Sequence, residues 1–354
     1  MKNPDSSFFF RYLGKLGLLP LLLLAPRLFA EPIQLPYSLP PGPSYVGVPL
    51  LRPALFFGKI NQADSANFRV QVNSYPPIDF TSVPGWGTGP CFLEVSSAPA
   101  DSSLEGERYE VDPARTLEEK GFVVLKSCPY NTRADLPSSL AGASFSVHPH
   151  WTIAALFGSA TTTALGKGWS AAASDEIRLY DPTAKSGYRA FFPCSGDAKN
   201  LPGWRLTTNR MGSEQSETVV PPGYGMILLR NRADNLTFTV TGKPRTHAFR
   251  FPLRAGMNLL APGHVKDFSL QGLSAISSNG FVAGSSSADS DQVRILVGQR
   301  METFAFLAGT PPQWVSLQSR YSLPPEEAVI APATKALEIR KVKADPDFVI
   351  PYVP

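Results

Sequence analysis

Charge, cysteine and histidine are all in short supply in this chain, and each shortage removes a class of function. Only 18% of the 354 residues are charged, and no block of like charge exceeds three residues. A protein that grips nucleic acid replaces phosphate counterions with a basic stripe. None is visible, so nucleic acid is not an expected partner. The three cysteines, Cys91, Cys128 and Cys194, allow at most one internal bridge. The sequence has no Gly-x-Ser-x-Gly elbow, no His-Glu-x-x-His helix and no phosphate-binding loop, so no cofactor is expected. Long apolar runs are missing too. Leu16–Ala25 is broken at Pro20, and the closing Phe348–Pro354 is short and proline-broken. Both fall well below the ~20 residues of a spanning helix, which leaves no transmembrane anchor expected in the mature chain.

What is present begins with a leader. Lys2, Arg11 and Lys15 precede the leucine-rich run, and Ala30 stands before Glu31. A basic n-region, a brief apolar core and a small residue at the cut predict a secretory signal peptide over residues 1–30. The protein is therefore expected to be exported, to the periplasm, the cell surface or the extracellular space. Residues 1–30 hold four of the 33 basic residues and one of the 29 acidic ones. Removing them leaves 29 against 28, a net charge near +1.

Proline (35) and glycine (28) are abundant, which favours turns and short strands over long helices. Seven prolines in residues 31–53 predict an extended lead-in. Strand-like runs at 54–60, 68–72, 91–95, 107–111, 121–125 and 144–148, separated by turn signals, predict a small β-barrel or sandwich over 54–157. One helical turn is expected after Asp112, with Pro113 at its first position and Gly121 at its end, and another over 151–157.

The C-terminal half reads as a diverged tandem repeat, 158–250 and 251–354. Ser174–Leu179, Tyr188–Phe192, Trp204, Val219–Gly223, Met226–Leu229 and Leu236–Val240 recur in order as Ser290–Ile295, Thr303–Leu307, Trp314, Ser322–Glu326, Ala328–Ile330 and Leu337–Ile339. Two such modules can bury one core between them. Trp204 and Trp314 are then equivalent core residues, and Asp175 and Asp291 equivalent turn residues that open a strand. The fold class expected is mainly β, a small N-terminal barrel or sandwich followed by a tandem-duplicated β module.

Several segments resemble a family of uncharacterised exported β-rich bacterial proteins of the verrucomicrobial type. They are Val46–Ile60, Gly106–Val111, Leu140–Thr152, Val220–Asn231 and Ala255–Ala261. The resemblance spans most of residues 45–340 and implies export and β architecture. It carries no catalytic residues, and the proline-rich lead-in departs from it.

The chemistry that remains is sparse. His148 and His150 flank Pro149, and residues two apart on a strand share a face, so both imidazoles are candidate metal ligands. The competing reading is a strand end, since proline is confined to edges. Cys91 opens one strand and Cys128 closes another, which makes them the candidate disulfide, with three unbridged thiols as the alternative. Tyr45, Trp86, Tyr109, Tyr130 and Trp169 fall near turns. Of these, Trp86, Tyr109 and Trp169 are the candidate ligand-binding aromatics, because exposed rings stack on sugars or anchor a protein partner. The function expected is a non-enzymatic envelope or cell-surface protein with a structural or adhesion role, its partner an envelope protein or polysaccharide. A glycan-binding module is the alternative, and a metal-dependent hydrolase a third reading.

Overall fold

The structure, a computed structural model, describes residues 31–352 except 182–183, 185–186, 197–200, 268, 298, 319–321 and 324–331. Residues 1–30, read above as a leader, and residues 324–330, within the segment read as a second repeat, lie outside the described residues.

β1 (Ile33–Leu39) and β2 (Gly42–Val46) come first. Six strands follow: β3 (Phe56–Asp64), β4 (Arg69–Val72), β5 (Cys91–Ser97), β6 (Arg108–Val111), β7 (Phe122–Lys126) and β8 (Ser144–Pro149). They close a barrel in the order β3-β4-β7-β6-β5-β8. Closure is the work of β3. Its first half pairs with β8, its second half with β4, and a register shift between Ile60 and Gln62 bends it from one to the other. Alternate side chains turn inward, so Ile60, Val70, Leu93, Tyr109, Val123 and Val147 fill the interior. The helix α1 (Pro113–Glu118) plugs the β6–β7 connection, with the Asp112 carboxylate accepting the Arg115 N–H (3.1 Å). That turn forms where the cap and proline predict it.

Next come β9 (Trp151–Thr152), the helix α2 (Ile153–Phe157), β10 (Glu176–Tyr180), β11 (Tyr188–Cys194), β12 (Gly203–Leu206), β13 (Val219–Val220), β14 (Met226–Arg230), β15 (Leu236–Gly242) and β16 (Phe249–Arg250). The chain ends with β17 (Gly256–Leu260), β18 (Gln292–Val297), β19 (Arg300–Leu307), β20 (Gln313–Ser316), β21 (Ser322–Leu323), β22 (Leu337–Lys341) and β23 (Val349–Ile350). One sheet runs β12-β11-β10-β14-β2 and the other β21-β20-β19-β18-β22-β17. Apart from the extra edge strand β21, the two orders match, and so do their registers. Ile177 faces Phe191 and Leu228 as Val293 faces Phe304 and Ile339. Pro193 faces Trp204 as Phe306 faces Trp314, and Met226 faces Val46 as Leu337 faces Leu260, so the counterpart of Met226–Leu229 is the strand at Leu337 and not Ala328–Ile330 as the sequence order implied.

The sheets meet at equivalent points. Gly225 N–H donates to Leu259 O (2.9 Å) and Ala261 N–H to Gly223 O (2.8 Å). At the matching positions Ala336 N–H donates to Tyr45 O (3.4 Å) and Gly47 N–H to Thr334 O (2.9 Å). Tyr45, Leu259 and Ala336 form a small core of their own at this crossing.

Strand pairing crosses the boundaries drawn from the sequence. Residues 31–53 are extended as expected, yet they are integral strands rather than a lead-in. β1 pairs with β15 along its whole length, and β2 forms the edge of the first sheet against β14. Prolines sit comfortably there, because an edge strand can do without some N–H donors. β17, near the start of the segment read as the second repeat, holds the same place in the second sheet. The barrel thus sits in the chain between β2 and the rest of the first sheet, and Pro32–Pro354 forms one compact unit.

Candidate functional site

Residues of β5, β6 and β8 that point away from the barrel core should be polar and wet. Here they are polar and buried. Glu94, Arg108, Glu110, Ser146 and His148 are all buried with Phe92 among them, Glu94 and Arg108 directly against the segment between β15 and β17. Glu94 has no exposed surface, and Arg245 grips it through Nε (2.7 Å) and Nη2 (3.3 Å), with His247 Nε2 3.4 Å away. The Phe249 ring lies between two guanidinium groups, Arg108 at 4.4 Å and Arg245 at 4.6 Å from its centre. Arg108 Nη2 donates to Arg250 O (2.8 Å), and Arg250 Nε to Glu105 O (2.8 Å). The sequence shows no local sign of this network, because its partners are some 150 residues apart.

All four histidines gather around this junction. His148 is held from both sides, Nδ1 to Arg52 O and Nε2 to Ser146 Oγ, each at 2.8 Å. His150 Nε2 lies 2.8 Å from Glu110 Oε1, without the angle of a hydrogen bond. The Phe92 ring packs against both imidazoles, its centre 5.7 Å from His148 and 4.7 Å from His150. His264 feels the charges of Arg245, His247 and Glu94. Among the described residues, no three His, Cys, Asp or Glu side chains converge in a way that could hold a metal ion. The shared strand face expected for His148 and His150 ends at Pro149, and each imidazole has its own surroundings.

The electrostatics follow from burial. Desolvation lowers the His148 pKa from 6.5 to about 4, so the ring is neutral at pH 7. His264 is also held down at about 4 by burial, with Arg245 adding to it. Burial alone would raise the Glu94 carboxyl, but Arg245 and His247 more than reverse it and hold it at about 2. Burial also brings Arg108 down to about 10. The free space here is small. The gap lined by Arg52, Phe92, Trp151, Tyr224 and Arg245 measures about 10 Å³, about enough for one water. These charged groups fasten the barrel to the sheets.

The remaining candidates separate cleanly. Trp86 is 7% exposed and Tyr109 not at all, and both belong to the barrel core. The turns around them carry the rings inward, where their apolar area is removed from water. Tyr45 is buried as well and donates to Glu338 Oε1 (2.5 Å). Cys91, Cys128 and Cys194 are all free, which replaces the expected Cys91–Cys128 bridge. Cys91 opens β5, and Cys128 follows the end of β7 on the far side of β6.

Trp204 and Trp314 are buried equivalently, their indole N–H groups donating to Gly158 O (3.0 Å) and Ala275 O (2.9 Å). Asp175 and Asp291 do more than shape turns. Asp175 accepts the Gly166 and Asn231 amides and pairs with Arg230, whereas Asp291 accepts the Val282 and Val342 amides and pairs with Lys341.

Among the described residues, two features open to solvent bear on these candidates. A cleft of about 180 Å³ is walled by Pro262, Leu273, Ile350 and Pro351, with His264 beside it. The ring nitrogens of His264 are closed off from solvent and lack a hydrogen bond. The other feature is Trp169, 62% exposed, with Met211 at 61%. The Arg210 guanidinium stands 5.5 Å from the Trp169 ring centre, and its Nη1 donates to Trp169 O (3.2 Å). Of the three aromatic candidates, this is the one whose ring a partner can reach. No family model, curated protein or solved structure matches this chain.

Proposed function

We propose that the chain is an exported, non-catalytic protein of the cell envelope or cell surface, with a structural or adhesion role and an envelope protein or polysaccharide as its partner. One observation carries the reading. The histidines and acids that could have done chemistry are buried where the barrel meets the sheets, while Trp169 stands exposed beside Arg210. The basic, then apolar, then small-residue pattern of residues 1–30 supports export, and the resemblance to exported β-rich proteins agrees with it. The matched order and register of the two sheets support a diverged duplication, with the barrel inserted after the first strand of one copy's sheet.

Trp169 also favours the glycan-binding reading, narrowed from three aromatics to one. The hydrolase reading needs His148 or His150 free in a cleft. Both nitrogens of His148 are occupied, and the His150–Glu110 pair borders a gap with no room for a water. Cell fractionation with a protease-accessibility control tests the proposal. The expected product starts at Glu31, lies outside the inner membrane and co-purifies with an envelope component. A full-length product retained in the cytoplasm overturns it.

A further inference from the structure

The junction between barrel and sheets is built differently from the cores on either side of it. The barrel closes on its own strand pairing and fills its own interior, and each sheet packs a core of its own. What joins them is mostly charge. The Arg245 guanidinium that holds Glu94 of β5 also donates to Gly263 O (3.2 Å) and Pro49 O (3.5 Å). The β5–β6 turn completes the contact, where a Cβ on Gly106 would meet Ala248 O at 2.5 Å. The chain enters the barrel through residues 47–55 and leaves it at His150. Two short connections therefore carry the whole barrel.

The four histidines of the chain all stand at this junction. His148 Nδ1 faces the Arg52 carbonyl, which can only accept, so that nitrogen carries the proton. Nε2 then accepts from the Ser146 hydroxyl. The charges around the ring are Glu94 from β5, with Arg245 and His247 from the segment between β15 and β16. His264, after β17, meets the same three, with Tyr352 beside it and Lys266 and Asp267 in the adjoining cleft. His150 has Glu110, and His247 has Glu94. One carboxylate thus serves both His148 and His264, and Arg245 already holds both of its oxygens. Arg52, Arg108 and Arg250 add positive charge nearby, against Glu107 and Glu110. Arg133 at the rim is shared among Glu107, Asp135 and Asp347. A proton taken up by either ring enters a buried region with no carboxylate left to meet it.

We propose that the junction is an acid-opened hinge, at which protonation of His148 and His264 lets the barrel swing away from the sheets as an intact body. The pivots are residues 47–55 and His150. Opening returns both rings to water, where they bind protons more tightly than in the closed form, so acid draws the equilibrium toward the open one. Strand pairing within the barrel and within the sheets uses none of these side chains, and both survive the opening. The inference goes beyond the envelope reading and does not depend on it.

The test is small-angle scattering and amide exchange on the purified protein between pH 7 and about pH 4, with exchange rates corrected for the intrinsic effect of pH. On acidification the radius of gyration is expected to rise, and to return on neutralisation. Residues 243–250, packed on β5 and β6 in the closed form, should exchange about tenfold faster or more, while β5, β8, β10 and β18 keep their protection. His148→Gln, whose amide can meet both Arg52 O and Ser146 Oγ, lowers the opening midpoint by about half a pH unit or more, and His264→Gln acts in the same direction. Both variants should match the parent in radius of gyration at pH 7. The parent alone can overturn the proposal. Barrel and sheet strands that lose protection together with residues 243–250 do so, and so does a radius of gyration that stays constant to pH 4. An opening midpoint that neither variant moves is equally fatal to it.

Discussion

A carboxylate without exposed surface needs opposite charge close by, and Glu94 has Arg245 against both oxygens and His247 just beyond. Breaking such a pair leaves the survivor uncompensated, at a cost of about 3–5 kcal/mol. Glu94→Gln is therefore expected to lower the urea midpoint by about that much in free energy, with Arg245 buried against a neutral amide. A change confined to the noise of the measurement would show that Glu94 does not hold the junction.

The pH response has a definite sign. His148 is about 4 in the fold and 6.5 when unfolded, so the unfolded chain binds the proton more tightly. Stability is full above pH 6.5 and falls as pH drops toward 4, by about 3 kcal/mol from this one group. His264 acts in the same direction. Glu94, depressed from 4.5 to about 2, adds a further loss only below about pH 4.5. Urea titrations across this range should show the decline, and His148→Gln should flatten its upper part. A stability flat from pH 7 to pH 5 contradicts the assignment.

Among the elements, strand patterning was legible wherever partners are close in sequence. The six barrel strands lie within a few residues of their expected positions, since turn signals bound each strand-like run. α1 was legible because a capping aspartate and a first-turn proline are local signals. β1 and β2 were not, because proline density hides strand character and their partners lie about 180–200 residues downstream. Trp86 and Tyr109 misled for a related reason: turn residues near a ring do not say which way the ring faces. Arg210 beside Trp169 is equally non-local, reaching the Trp169 carbonyl from 41 residues away.

At the crossing of the sheets, a Cβ on Gly225 would stand 2.5 Å from Ala336 Cβ and 2.8 Å from Leu259 Cγ. The restriction is one of space. Gly225→Ala is expected to cost about 1–3 kcal/mol through overpacking, seen as a lower thermal midpoint. Gly142→Ala is no control for this, since its φ of +85° adds strain of its own. Gly89, with open space around it, serves instead. Equal midpoints for Gly225→Ala and Gly89→Ala would show that the crossing can relax.

As a whole molecule, the chain builds three main cores, one inside the barrel and one against each sheet. Everything that joins them is long-range: Arg245 reaches 151 residues back to Glu94, and β14 reaches back to β2. That arrangement has a consequence in time. A chain made N-terminus first presents β1 and β2 long before β14 and β15 exist. The barrel strands between them need only one another and can close meanwhile. The earliest segment to appear is thus among the last to find its place, and long-range closure of this kind slows folding. Until residues 226–242 arrive, the two proline-rich strands are held out of alternative pairings chiefly by their own stiffness and missing donors.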